Sequence, residues 1–158
     1  MTPAPFVSEP MPLEAREDGR PFRRADLEFY GIDHSGSSFE ARVFLNNPAA
    51  DEETPRDEAS GYAGSFWIFG HGGCFGDTGH CHVPVSPRDP FDRRGPHQLT
   101  PHDRGVIVTE ALRKILDRRG ETGETELTAT VVPVASRSPV NAEEGLFSFE
   151  RLALVKYD

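Results

Sequence analysis

Hydrophobic and polar residues alternate over Phe39-Glu40-Ala41-Arg42-Val43-Phe44-Leu45, with Phe39, Ala41, Val43 and Leu45 on one side. A period of two sustained over such a run predicts a half-buried β-strand. Shorter β-patterns fall at 27–32, 64–69, 105–108 and 127–134, the last rich in β-branched residues, with Pro133 near its end or at a sheet edge. Phe147-Ser148-Phe149 and the run 152–157 read together as one long, bulged closing strand. The helical period appears once, where Ala111, Leu112, Ile115 and Leu116 form an apolar stripe. Thr109 is placed to cap that helix and Gly120 to end it. About six short strands and one short helix, joined by turn-forming residues and long loops, predict a mainly β fold, an antiparallel, jelly-roll-like sandwich.

The intervening segments refine this picture. Residues 1–22 carry five prolines among charges and read as an extended arm, ordered only if it docks. Residues 23–158 then form a single β-sandwich domain, since a chain of 158 residues buries one sizeable core. Asn46 to Tyr62 is strongly acidic and is expected to be a mobile surface loop; it lacks the regular spacing of an EF-hand. Residues 83–104 are proline-rich without a helical period, an irregular connection of functional length. The formal net charge is -9, with no basic stripe, which argues against nucleic acid and anionic membrane surfaces as partners. The basic cluster Arg88 to Arg94 is interrupted by Asp89 and Asp92 and reads as a solvated loop. No apolar run approaches the ~20 residues of a membrane span, and the N-terminus shows neither a basic n-region nor an apolar h-region. These features favour the cytoplasm, where thiols stay mostly reduced.

Chemistry concentrates in Gly70-His71-Gly72-Gly73-Cys74-Phe75-Gly76-Asp77-Thr78-Gly79-His80-Cys81-His82. Both cysteines and three of the six histidines lie here, with glycines that let the backbone turn tightly. Thiolate and imidazole are the donors that soft and borderline metals prefer, so Cys74, Cys81, His71, His80 and His82 are the candidate metal ligands, for copper first and zinc second. The spacing matches no paired C-x2-C zinc motif. Three readings stay open: metal ligation, a Cys74–Cys81 disulfide closing a short loop, and free thiols in a structural loop. Asp77 beside His80 is an acid–base candidate, but the Gly-Asp-Thr-Gly context is turn chemistry. His71-Gly72-Gly73 after a strand has the look of a lipase oxyanion loop, yet no G-x-S-x-G nucleophile elbow exists in the chain. No catalytic residue is assigned.

Four short motifs occur in a telling order: Val43-Phe44-Leu45-Asn46; Tyr62-Ala63-Gly64-Ser65-Phe66 with Phe69-Gly70; Val108-Thr109-Glu110-Ala111-Leu112; and Thr130-Val131-Val132-Pro133-Val134. Together with Pro90-Phe91-Asp92 they resemble the C-terminal β-sandwich domain of the type 3 copper proteins, the family of tyrosinases, plant polyphenol oxidases and mollusc haemocyanins. The resemblance covers roughly residues 25–157. It implies a domain that performs no oxidation itself. In that family the sandwich packs over an α-helical dicopper domain, and a loop residue often plugs the entrance to the copper site. Some fungal relatives carry cysteines here that are implicated in copper loading. The His/Cys loop departs from the plant and haemocyanin pattern. Phe75, the one large apolar side chain inside the loop, is the candidate plug, with inward packing as the alternative. The dicopper centre of that family takes histidines largely from helices, and the one predicted helix here has none. The expectation is therefore a non-catalytic accessory domain partnered with a tyrosinase-like dicopper oxidase domain or subunit, shielding its site and assisting copper loading. The alternative is an independent copper(I)- or zinc-binding protein using the His71–His82 loop.

Overall fold

The computed structural model describes residues 4–13, 22–71, 91, 100–122 (backbone only for 119–122), 125–135 and 146–158. The elements in chain order are β1 (Phe6–Val7), β2 (Met11–Pro12), β3 (Arg24–Ile32), β4 (Phe39–Leu45), β5 (Tyr62–Ile68), β6 (His102–Ile107), α1 (Thr109–Thr122), β7 (Glu126–Leu127), β8 (Ala129–Ala135) and β9 (Arg151–Tyr157). A four-stranded sheet runs β1-β8-β4-β5, a three-stranded sheet runs β6-β3-β9, and β2 pairs with β7. Every pairing is antiparallel. The mainly β sandwich with one helix is thus the architecture of the chain. No described helix is long and apolar enough to cross a membrane.

The period-2 pattern does what it predicts on the inner faces. Leu27 and Phe29 from β3 and Phe39, Ala41 and Val43 from β4 meet Phe66, Ile68 and Val131 in one core. Leu112 and Ile115 bring α1 against the same core. Thr109 acts differently from its expected capping role. Its Oγ1 accepts a hydrogen bond from Ala25 N at 2.9 Å and so ties the helix start to β3. The helix runs past Gly120 to Thr122, so that glycine does not end it. Phe147 and Phe149 are not strand residues; their rings pack edge-on to Phe29 at 5.7 and 5.5 Å.

The described part of the N-terminal arm docks. Phe6 pairs with Val131 and Met11 with Leu127, and Leu13 is completely buried. Because β1 pairs only with Thr130 and Val131, β8 has a single sheet neighbour at Pro133 among the described residues, where a missing N–H is tolerated.

The acidic segment after β4 is a surface loop built from turns, folded back on the sheet rather than free of it. It folds over the outer face of the four-stranded sheet, burying Ala50 with Phe44 and Val132. Asp51 Oδ1 accepts from Thr54 Oγ1 at 2.9 Å, and Asp57 Oδ1 accepts from Ser60 N at 2.9 Å, so the carboxylates build turns rather than repel. Gly61 has φ +77°, and a Cβ there would lie 2.3 Å from Leu45 O, so only glycine returns the chain into β5. Arg56 donates from Nη1 and Nη2 to the two oxygens of Glu40, each at 2.9 Å. The Glu40 side chain is 6% exposed, and Arg42 Nε supplies a further donor at 3.1 Å. A buried carboxylate is tolerated on a sheet face because three donors meet it.

Arg56→Ala should therefore cost about 1–3 kcal/mol of stability, since it strips two donors from a buried acceptor. Urea unfolding checks this. A change within about 0.3 kcal/mol would show that the Glu40 carboxylate is adequately served by Arg42 and solvent.

Candidate functional site

Of the metal ligands expected from sequence, only His71 lies among the described residues; Cys74, His80, Cys81 and His82 lie outside them, as do Phe75 and Asp77. His71 is exposed at the exit of β5. It is not alone. His34 and His102, which belong to no motif in the chain, stand beside it.

Three strand ends build this cluster. In β3 the register against β6 shifts between Phe29 and Ile32, with Gly31 at φ +69°, and the shift sets Ile32 opposite His102. His34 follows two residues later, on the same side as Ile32, and its ring stacks on His102 with centroids 3.9 Å apart and planes 17° apart. The His71 ring stands edge-on to His34 at 5.0 Å. Its place is fixed by a close crossing of two segments: a Cβ on Gly70 would lie 2.2 Å from Gly36 O. Gly70 N donates to Ser38 Oγ at 2.9 Å, and His71 N donates to His34 O at 3.1 Å.

His34 is 5% exposed. Its Nε2 lies 2.7 Å from Thr100 O, a pure acceptor, so Nε2 carries the proton and donates. Nδ1 is then a lone pair. It is buried and has no hydrogen-bond partner among the described residues. Burial and the neighbouring His34, Arg104 and His71 all push the His102 pKa down, outweighing the opposite pull of Asp103, so its neutral form is favoured. Arg104 Nη2 lies 3.4 Å from His102 Nδ1, a long contact that directs the lone pair to that nitrogen. His34 also clamps both ends of the 72–99 segment, through His71 N before it and Thr100 O after it. As the rings stand, no group of three or more His, Cys, Asp or Glu side chains among the described residues is arranged to hold a metal ion.

A second polar site lies on the outer face of the three-stranded sheet. Arg24, Asp26, Glu28, Tyr30, Asp103, Arg104, Gly105 and Tyr157 surround an open groove of about 440 Å³. Glu28 accepts hydrogen bonds from the Tyr157 hydroxyl, at 2.6 Å, and from the Tyr30 hydroxyl. These bonds lower the Glu28 pKa, Tyr157 contributing most, and raise those of both phenols. Arg24 and Asp26 pair beside it at 2.6 Å, and the Arg151 guanidinium covers the Tyr30 ring at 4.0 Å. Every charged group named in this groove except Asp103, Arg104 and Arg151 is committed to a neighbour within it, which suits a structural network better than a catalytic one.

Large apolar side chains also reach solvent: Trp67 is 49% and Phe69 73% exposed, at alternate positions leaving β5. Ile107 and Phe91 are exposed as well.

No family model matches the chain, and no curated protein matches it. Among solved structures the chain is similar to a recombinantly expressed latent aurone synthase, a polyphenol oxidase, at 20% identity and a TM-score of 0.49 over 99% of this chain and 25% of that one. It is similar also to latent aurone synthase (polyphenol oxidase) from natural source, at 18% identity and a TM-score of 0.48 over 99% of this chain and 25% of that one. The chain spans a quarter of the length of these two proteins.

The Glu28 network sets a pH prediction. A lowered carboxylate pKa adds stability above the ordinary value of about 4.3 that is lost as pH falls through the folded value. Raised phenol pKa values add stability below about 10 that is lost as pH rises through theirs. Glu28→Gln should thus lower the melting temperature most near neutrality, with the gap to wild type narrowing at both extremes. Ultraviolet phenolate titration should show two tyrosines moving down toward the free value. A gap constant across pH would remove the network from the account.

Proposed function

We propose that this chain is a non-catalytic accessory domain of a type 3 copper oxidase, docking on a tyrosinase-like dicopper domain or subunit and shielding its site. The observation that carries the reading is the ordered series of motifs at 43–46, 62–70, 108–112 and 130–134. Three of the four fall largely on β4, β5 and β8, strands of one sheet, and the fourth opens α1. The helix sequence contains no histidine, so it offers nothing to a helix-borne dicopper centre. Trp67 and Phe69, exposed side by side at the exit of β5, are the side chains we assign to the docking face, since aromatics dominate interface energetics. Phe75, the one large apolar side chain between His71 and His82, is our candidate for the entrance plug, with inward packing as the alternative.

A second reading is independent metal handling, with Cys74, Cys81, His71, His80 and His82 as ligands for copper or zinc. The presentation of His71 beside two further imidazoles favours keeping it.

The test is reconstitution with a tyrosinase-like catalytic domain lacking its own sandwich. Complex formation with slowed diphenol oxidation is the expected outcome, and Trp67→Ser with Phe69→Ser should weaken the complex at least about tenfold. If no complex forms at micromolar concentration and the oxidation rate is unchanged, the accessory reading is wrong.

A further inference from the structure

The geometry points to a transition-metal site built on His34 and His102, completed by His71, at the base of the 72–99 segment. The ligand class is a first-row cation that prefers imidazole, copper or zinc. The inference goes beyond the accessory reading and does not rest on it: a protein that docks on no oxidase could still hold the ion here.

A ring nitrogen sequestered from water with no donor facing it leaves its hydrogen-bonding capacity unused, which native interiors rarely allow. Among the described residues, His34 Nδ1 is such an atom. The far nitrogen, Nε2, donates to Thr100 O at 2.7 Å. A backbone carbonyl that fixes the tautomer of an imidazole and leaves the other nitrogen deprotonated is the arrangement that outer groups give to metal-ligating histidines. His102 presents a lone pair in the same way, its Nδ1 facing Arg104 Nη2 at 3.4 Å, so a cation taking that nitrogen displaces only a long contact.

The stacked pair does not itself chelate. Rings 17° from parallel direct their in-plane lone pairs along nearly parallel lines, not to one point. Capture therefore requires the His102 ring to turn out of the stack. His34 is the anchored ligand, buried and bonded; His102 is only partly buried and His71 is exposed, so these two rings have room to reorient. Imidazole ligands bring no anionic charge to an ion, and the nearby Arg104 disfavours a high charge there, which places copper(I) ahead of zinc(II).

The test uses the full chain with labelled histidine side chains, titrated separately with zinc(II) and, under reducing conditions, with copper(I). It is repeated in the Cys74→Ser/Cys81→Ser double variant to separate this site from the cysteine loop. One equivalent of metal should shift the imidazole nitrogens of His34 and His102 in both proteins, with the His34 Nδ1 signal moving from free to ligated. A larger effect for copper(I) than for zinc(II) identifies the preferred ion, and either ion producing the shift supports the site. His34→Gln and His102→Gln should each weaken binding at least about tenfold, as loss of a ligand costs no less than loss of its outer partner. If metal leaves the His34 and His102 nitrogens unmoved in the wild-type chain, or if binding vanishes wholly with the cysteines, the site does not exist. The spectra of the unaltered protein decide this even where a histidine variant fails to fold.

Discussion

Phe29 stands where the two sheets meet, and most of what positions the functional surfaces passes through it. Its ring lies 5.3 Å from Phe66 of the four-stranded sheet and 5.5 Å from Phe149 just before β9. Phe149 in turn packs on Phe6 of the docked arm at 4.9 Å. Edge-on and tilted ring pairs of this kind fix orientation as well as bury area. The inner face of β3 therefore holds the sandwich closed, and its outer face is free to carry Asp26, Glu28 and Tyr30. The same strand, two residues beyond its end, delivers His34.

Charge is handled differently on the two outer faces. Over the four-stranded sheet, Glu40 is buried and bracketed by Arg42 and Arg56, and the acidic segment above it turns into a cover. Over the three-stranded sheet, Glu28 stays near solvent and is held by two phenols. The first arrangement converts a surplus of acids into structure; the second leaves a polar groove.

How much of this the chain discloses in advance depends on the range of the interaction. Alternation over Phe39 to Leu45 is a local signal, and β4 has the predicted bounds. Two-residue pairings such as Phe6 with Val131 have no period to detect, so the arm's docking was invisible. The cover over Glu40 was hidden because Arg56 finds its partner by geometry, while the local composition advertises only acid and solvent. Thr109 looked like a cap because its hydroxyl fits that role; a strand N–H competed for it and won. The histidine cluster is the extreme case. His34, His71 and His102 share no motif, and only a β-bulge at Gly31 and the close crossing at Gly70 bring them together.

That cluster also changes how the cysteine-bearing segment is understood. Read alone, the run from His71 to His82 is a loop whose ligand types are right and whose spacing is unfamiliar. In the fold, its first residue is bonded to His34, and the segment returns to the same histidine through Thr100. Bonding both flanks of a long segment to one buried residue, at its backbone carbonyl and at its ring, offsets part of the entropy cost of closing it. The residue that carries a buried ring nitrogen with no partner among the described residues is thus also the one that holds both flanks of the cysteine-bearing segment.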